Sequence, residues 1–334
     1  MMAMYTTAND PFFAIETGIV PAPDHIDPDP GQANWLALGT GVMLSWGVNT
    51  AADCEWSDGS IPSSALDTAM VDPRATMAAI AKAGFRYVLP ITKHVDGYCC
   101  WPSATSDYTV AQSPGGRDVL GEIIAAARAE GLAVGLYYCL WDRSAASFAD
   151  DAAYTELILA QLDELLQNYG EIIELWIDGG WKKGGVHWQD PVRWNWPRLY
   201  ERIRLHQPNC QVGINGTTER PGEVIMYPCD YRIGEKRRDV NHAPAVWWCE
   251  SQARALPFQM VHTASAGGGS SDLFQDGKWF YHADDHSVRS AKEIGAEIDS
   301  CRSSGANYLL GLGPDPAYQL RIEDLRLLGE LAER

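Results

Sequence analysis

Apolar residues fall into short, closely set runs from Trp35 onward, whereas residues 1–34 carry five prolines and few periodic apolar positions and predict an irregular leader. Leu38–Trp46 reads as a strand that stops at Gly47. Asp72 and Pro73 then open a helix reaching Lys82, Gly84 ends it, and Tyr87–Ile91 forms the next strand. A helix over Asp118–Glu130, closed by Gly131, leads into a strand at Leu132–Leu140. The clearest amphipathic stretch is Ala152–Tyr169, where Leu157, Leu162, Leu165 and Leu166 recur near helical spacing and Gly170 supplies the cap. Directly after it, Ile172, Ile173, Leu175, Trp176 and Ile177 are apolar without strict alternation, as in a parallel strand covered on both faces, and Gly179–Gly180 break the run. The pattern then predicts a helix at Arg193–His206, a strand at Gln211–Ile214, and further strands near Val224–Met226 and Val246–Cys249. A helix at Val288–Ser303, a strand at Tyr308–Leu312 and a final helix from Glu323 complete the chain. Residues 256–286, with a glycine and serine run at 267–271, leave one strand unplaced.

Strand and helix thus alternate, and the residues able to do chemistry follow strands. This predicts an α/β fold, a (β/α)8 barrel of the TIM type with some irregularity over residues 35–334, its site built from the loops at one face.

Charge narrows the partner class. With 44 acidic against 26 basic side chains the formal charge is −18, which opposes binding to nucleic acid or an anionic membrane and favours a neutral partner. Several of the 13 tryptophans (Trp101, Trp181, Trp188, Trp194, Trp196) lie in polar stretches, where they either stack on a carbohydrate or anchor loops. The eight cysteines form no C-x-x-C pair and read as small core residues, which favours a reducing compartment. Residues 1–11 lack a basic and an apolar region, so a cytoplasmic protein is the expectation, although a secreted chain that had lost its leader would read the same. Nothing in the pattern speaks to oligomeric state.

Asp178 is the focus of the candidate chemistry. It sits at the carboxyl end of the most apolar strand, where α/β folds place their working groups, between Trp176 and Trp181. An isolated aspartate there often caps the next segment, but indole faces beside a carboxylate suit a sugar ring. The loops Lys93-His94-Val95-Asp96-Gly97-Tyr98 and Trp141-Asp142-Arg143 follow other strands. A metal-dependent hydrolase using His94, Asp96 and Asp178 is a weaker alternative, because no H-x-H or H-E-x-x-H pair exists.

Six segments in order carry a resemblance to a known family: Glu55-Trp56; Gly84 to Tyr98 with Trp101-Pro102-Ser103; Gly135 to Arg143; Gln161 to Tyr169 leading to Leu175-Trp176-Ile177-Asp178-Gly179; Asp230 to Glu235; and Leu309 to Pro314. From Trp35 to about Pro316 the chain resembles the α-L-fucosidases, family 29 of the retaining glycoside hydrolases, nearest the branch that cleaves α-1,3/1,4-linked fucose. The resemblance implies a glycoside or oligosaccharide substrate, terminal α-L-fucose or a related sugar, cleaved by two carboxyl groups with no cofactor or metal ion. It makes Asp178 the nucleophile and Glu235, on an acid-bearing loop, the acid/base, with Glu250 in Trp247-Trp248-Cys249-Glu250 as the alternative acid. Glu55, His94, Trp56, Tyr137, Trp141 and Trp176 would bind the sugar. Many members of that family carry a carboxyl-terminal β-sandwich; with the sequence stopping at Arg334, soon after the barrel, none is expected here.

Three positions depart from the family pattern. Ser45-Trp46-Gly47 stands where a histidine is usual, His94-Val95 replaces paired histidines, and Asn215-Gly216-Thr217 replaces an Arg-bearing loop. A hydroxyl left without its partner costs about 1–3 kcal/mol. These departures predict weak hydrolysis of simple aryl α-L-fucoside and a preference for an α-L-galactoside, a D-arabinoside or a substituted fucose. A catalytically silent sugar-binding barrel is the competing class, favoured if no carboxyl group faces Asp178.

Overall fold

The computed structural model describes residues 26–180, 193–216, 222, 224, 226–236, 245–249, 252–267 and 277–334. Its centre is a closed parallel barrel of eight strands: β1 (Thr40–Leu44), β2 (Tyr87–Lys93), β3 (Leu136–Cys139), β4 (Glu174–Asp178), β5 (Gln211–Ile214), β6 (Tyr231–Glu235), β7 (Phe258–Thr263) and β8 (Asn307–Leu312). Each strand pairs with the next in chain order, and β1 pairs with both β2 and β8, so the sheet has no free edge. The short segment Ala133–Val134 runs ahead of β3 along β2.

Side chains alternate between the lumen and the outer layer. Met43, Leu89, Ile91, Tyr137, Trp176, Tyr231, Ile233, Val261 and Leu309 fill the lumen. The opposite faces of the strands meet the helices in a larger outer core. Two of the glycines in the strands make room for lumen aromatics: a Cβ at Gly41 would lie 2.3 Å from the Tyr87 ring, and one at Gly213 would lie 2.2 Å from the Tyr231 ring.

Helices α1 (Pro30–Leu36), α2 (Arg74–Lys82), α3 (Val119–Ala129), α4 (Asp151–Asn168), α5 (Trp196–His206), α6 (Ala291–Ser303) and α7 (Ile322–Ala332) accompany the strands. Asp150 starts α4 by accepting from the amides of Ala152 and Ala153, and Tyr154, Ile158, Leu162, Leu165 and Leu166 form its buried stripe. Each such apolar side chain contributes roughly 1.5–3 kcal/mol on burial. Helix α1 behaves differently and plugs the amino-terminal mouth of the barrel. Its Trp35 donates to Glu174, its Gln32 donates to the carbonyls of Asp230 and Ala255, and Asn307 donates to the Trp35 carbonyl.

The structure corrects the expected element map in three places and decides between two readings of the loop tryptophans. Helix α1 straddles residue 34, where the irregular leader was expected to end; Asp29 and Gln32 form a capping box there that the proline-rich composition obscures. No strand is assigned at Val224 or Met226; β6 lies at Tyr231–Glu235 instead, so Glu235 ends a strand rather than sitting on a loop. Val246–Cys249 belongs to Ala245–Cys249, which pairs antiparallel with Gln252–Leu256 outside the barrel. The barrel strand that follows is β7, whose inward Gln259 and Thr263 and outward His262 interrupt the apolar pattern. Finally, Trp101, Trp194 and Trp196 are buried anchors, their indole N–H groups donating to Glu164, Gly180 and Pro228, and Trp181 and Trp188 lie outside the described residues.

Candidate active site

The inward alternation that places Trp176, Gly213 and Ile233 in the middle of the barrel carries three polar residues to its carboxyl-terminal rim: Asp178 on β4, Asn215 just after β5 and Glu235 on β6. The register is fixed by backbone bonds, Asn215 N to Ile177 O at 2.8 Å and Leu140 N to Asp178 O at 2.7 Å. Gly179 then turns the chain at φ +64°, and a Cβ there would meet Cys139 Sγ at 2.3 Å. Only glycine tolerates both demands.

One amide joins the two acids. Asn215 Nδ2 donates to Asp178 Oδ1 at 3.1 Å and to Glu235 Oε2 at 2.8 Å. Laid end to end these two bonds set an upper limit of about 5.9 Å between the two oxygens. The other oxygen of Asp178, Oδ2, accepts from the Tyr137 hydroxyl at 2.6 Å. Tyr137 in turn stacks on Trp176 at 5.2 Å, so the expected sugar-lining pair forms the floor beneath Asp178. Burial raises the Asp178 carboxyl above its ordinary value, opposed by the donors Tyr137, Gly179 N–H and Asn215. Burial and then the Asp178 charge push Glu235 up to about 7, against the Asn215 bond and the Lys236 ammonium.

His94 lies beside this pair, its ring 6.1 Å from Tyr137, edge-on to Trp56 at 5.7 Å and to Phe280 at 5.1 Å. Burial, and then the Arg143 guanidinium, lower its value to about 3, so the imidazole is neutral. Asn49 Nδ2 approaches His94 Nδ1 at 3.4 Å and donates to Asp96 Oδ2 at 2.9 Å, which assigns the hydrogen of the neutral ring to Nε2. Asp96 also accepts from the Tyr98 amide at 2.7 Å, and burial lifts it to about 6. Asp96 and Asp178 are therefore held by separate donor sets rather than gathered with His94 around a common point.

The remaining candidates are less direct. Glu55 acts through its neighbours: its carboxylate accepts from the amides of Trp279 and Phe280 and from His282 Nε2, all within 3.1 Å, and so fixes the loop that brings Phe280 to His94. Trp56 and Trp141 meet edge to face at 6.2 Å, with Arg143 over both rings. Asp142 forms a buried ion pair with Lys93 at 3.1 Å, because Lys93 points out of the lumen between β2 and β3, toward Tyr138 and Gln161. Glu250 lies outside the described residues. Asn215 was visible in the sequence only as a departure; its position one residue past a strand was the signal for a site role. Asn49 and Phe280 gave none.

The sequence model of the family described as Alpha-L-fucosidase matches residues 49–333. The chain belongs to that family. A protein of Oryza sativa subsp. japonica, named provisionally alpha-L-fucosidase 1, is 40% identical over 328 residues, covering 94% of this chain and 59% of its own length. The tissue alpha-L-fucosidase of Homo sapiens is 25% identical over 260 residues, 72% of this chain and 49% of that protein. Alpha-L-fucosidase isoenzyme 1 from Paenibacillus thiaminolyticus superposes with a TM-score of 0.73 at 26% identity, over 91% of this chain and 75% of that one. The chain thus spans about half the length of the curated relatives it matches.

Proposed function

We propose that this family member is a retaining, exo-acting glycoside hydrolase of the α-L-fucosidase type, with Asp178 as nucleophile and Glu235 as acid/base. The observation that carries the reading is the single Asn215 amide serving both carboxyl groups. A limit of about 5.9 Å fits the ~5–5.5 Å spacing of retaining enzymes and not the ~6.5–9.5 Å that inversion needs for a water between the acids. In the first step Asp178 forms a bond to the anomeric carbon as the glycosidic C–O bond breaks, and the Glu235 proton goes to the departing oxygen. In the second, Glu235 takes a proton from water, whose oxygen joins the anomeric carbon and releases Asp178. A Glu235 value of about 7 leaves that residue able to serve as acid and then base near neutrality. Neutral His94, with Nε2–H as donor, suits a sugar hydroxyl.

A carboxyl group facing Asp178 counts against the silent sugar-binding alternative. For the sugar itself, the support is the departure in sequence at Ser45 and Val95, both fully buried and Val95 packed in the lumen cluster. This supports preference for an α-L-galactoside, a D-arabinoside or a substituted fucose over simple α-L-fucoside; the α-1,3/1,4 branch rests on the order of the sequence segments. A screen of aryl glycosides tests the preference, and aryl α-L-fucoside turned over at about 10⁴ M⁻¹s⁻¹ or more would overturn it. Ser45→His with Val95→His should raise fucosidase activity, with about 1–3 kcal/mol of overpacking cost in stability. Glu235→Ala should damage poor leaving groups far more than activated aryl ones, with azide rescuing the latter. That pattern in Glu250→Ala instead would exchange the roles.

A further inference from the structure

The geometry points to Asn215 as a positioning residue that decides where the single proton of the acid pair resides: by donating to Asp178 Oδ1 and Glu235 Oε2, its amide confines the acidic hydrogen of Glu235 to Oε1 and prevents the two carboxyls from sharing it. The inference rests on the reading of Asp178 and Glu235 as a working pair.

The argument is one of counting hydrogens. The Asn215 amide nitrogen has two, and among the described residues Asp178 Oδ1 and Glu235 Oε2 lie within its hydrogen-bond reach, at 3.1 and 2.8 Å on different strands. An oxygen that accepts an N–H is a poor place for a second hydrogen, so a protonated Glu235 carries its proton on the other oxygen. Among the described residues no donor reaches Glu235 Oε1, which leaves it free to face a leaving group. Asp178 has neither oxygen to spare, since Oδ2 accepts from Tyr137 and Oδ1 from Asn215. Two buried carboxyls without such a divider share one proton, and the acid becomes harder to ionise and slower to give the proton elsewhere. The amide also fills the position where the family's Arg-bearing loop was expected, and it holds both acids with no formal charge. A guanidinium there would favour ionisation of both and empty Glu235 of its proton.

The other titratable or charged groups facing the pair among the described residues are Tyr137 and Cys139 on β3 and Lys236 at the end of β6; His94 stands behind Tyr137. Tyr137 and Cys139 are raised by burial and by the Asp178 charge, so both are neutral at working pH. Only Lys236 carries a positive charge, and its ammonium donates to the Gly277 carbonyl at 3.0 Å.

The test is the pH profile of Asn215→Leu, which keeps the side chain's size and removes both N–H groups. The alkaline limb of kcat/KM should move up by on the order of one pH unit. Loss of kcat should be greater on unactivated glycosides than on activated aryl ones, with KM little changed. Asn215→Ser, whose hydroxyl has one hydrogen to give, should shift the limb in the same direction by less, and serves if the leucine variant does not fold. An alkaline limb that stays in place in a folded variant, or an equal loss across leaving groups, would overturn the inference and reduce Asn215 to a structural residue. Titration of Glu235 by carboxyl-carbon NMR in glutamate-labelled protein reads the same upward shift without turnover. A wild-type protein inactive on every glycoside would therefore break the proposed function while leaving this inference testable.

Discussion

Strand β4 carries a carboxylate at each end, Glu174 fully buried and Asp178 partly so, and the two are used in opposite ways. At the amino-terminal mouth Glu174 is fully buried and accepts from Trp35 Nε1 at 2.8 Å, the Tyr231 hydroxyl at 2.7 Å and Gln259 Nε2 at 2.8 Å. Burial nevertheless pushes it up to about 7. At the other mouth Asp178 has a tyrosine and a shared amide, and a second acid within reach. Both sites remove a charge from water at considerable expense. At the bottom, three neutral donors from three other elements use that carboxyl as a joint. At the rim, the missing partner is supplied by a competing carboxyl, which leaves a proton free to move. Counting donors around a buried acid therefore separates a fastener from a reagent on the same five-residue strand.

The comparison breaks or holds on paired substitutions. Asp178→Asn should lower turnover by several orders of magnitude, since the amide cannot attack, while the melting temperature stays the same or rises. Activity within tenfold of wild type would remove Asp178 from the reaction. Glu174→Leu should do the reverse, leaving three buried donors unsatisfied at roughly 1–3 kcal/mol each, with specific activity per folded molecule retained; denaturant titration and active-site counting measure the two parts. Trp35→Phe, which removes one donor and keeps most of the ring, should cost only about 1–2 kcal/mol. An unchanged midpoint would show that α1 does not fasten the bottom of the barrel.

The smallest expected effect is on pH dependence of stability. Glu174 and Glu235 at about 7 and Asp96 at about 6 all lie above their values in an unfolded chain. The folded state therefore holds protons that the unfolded state has released, and this stabilisation is fully present below about pH 4, declines as pH rises toward 7, and is gone above it. The melting temperature should be higher near pH 5 than near pH 8, and Glu174→Gln should flatten that slope. A slope of the opposite sign would show that the buried acids are held ionised after all.

How much of this could be read in the sequence follows from which face of a strand was apolar. β4 was legible because Ile172, Ile173, Leu175, Trp176 and Ile177 are apolar, and Asp178 at its end stood out. β6 and β7 were not, because Arg232, Gln259, His262 and Thr263 are polar residues buried in or around the barrel, where hydrogen bonds rather than hydrophobicity make them fit. Glu55 was legible as an acid near the site but not as the anchor of residues 279 and 280, since its partners lie more than 220 positions away in the chain. Asn215 carried too little chemistry on its own; its meaning comes from lying between two acids that fold alone brings together.

The plug at the bottom of the barrel bears on the order of events in folding. Helix α1 is near the start of the chain, yet its hydrogen bonds reach partners 139, 198, 223 and 272 positions away. On a growing chain it must wait, solvated or in temporary contacts, until β8 has emerged, and only then can Trp35 and Gln32 find their places. Closure of the barrel and docking of its first helix are thus late, coupled and long-range, the class of contact that slows folding most. The segment that seals the amino-terminal mouth precedes in the chain every strand it seals.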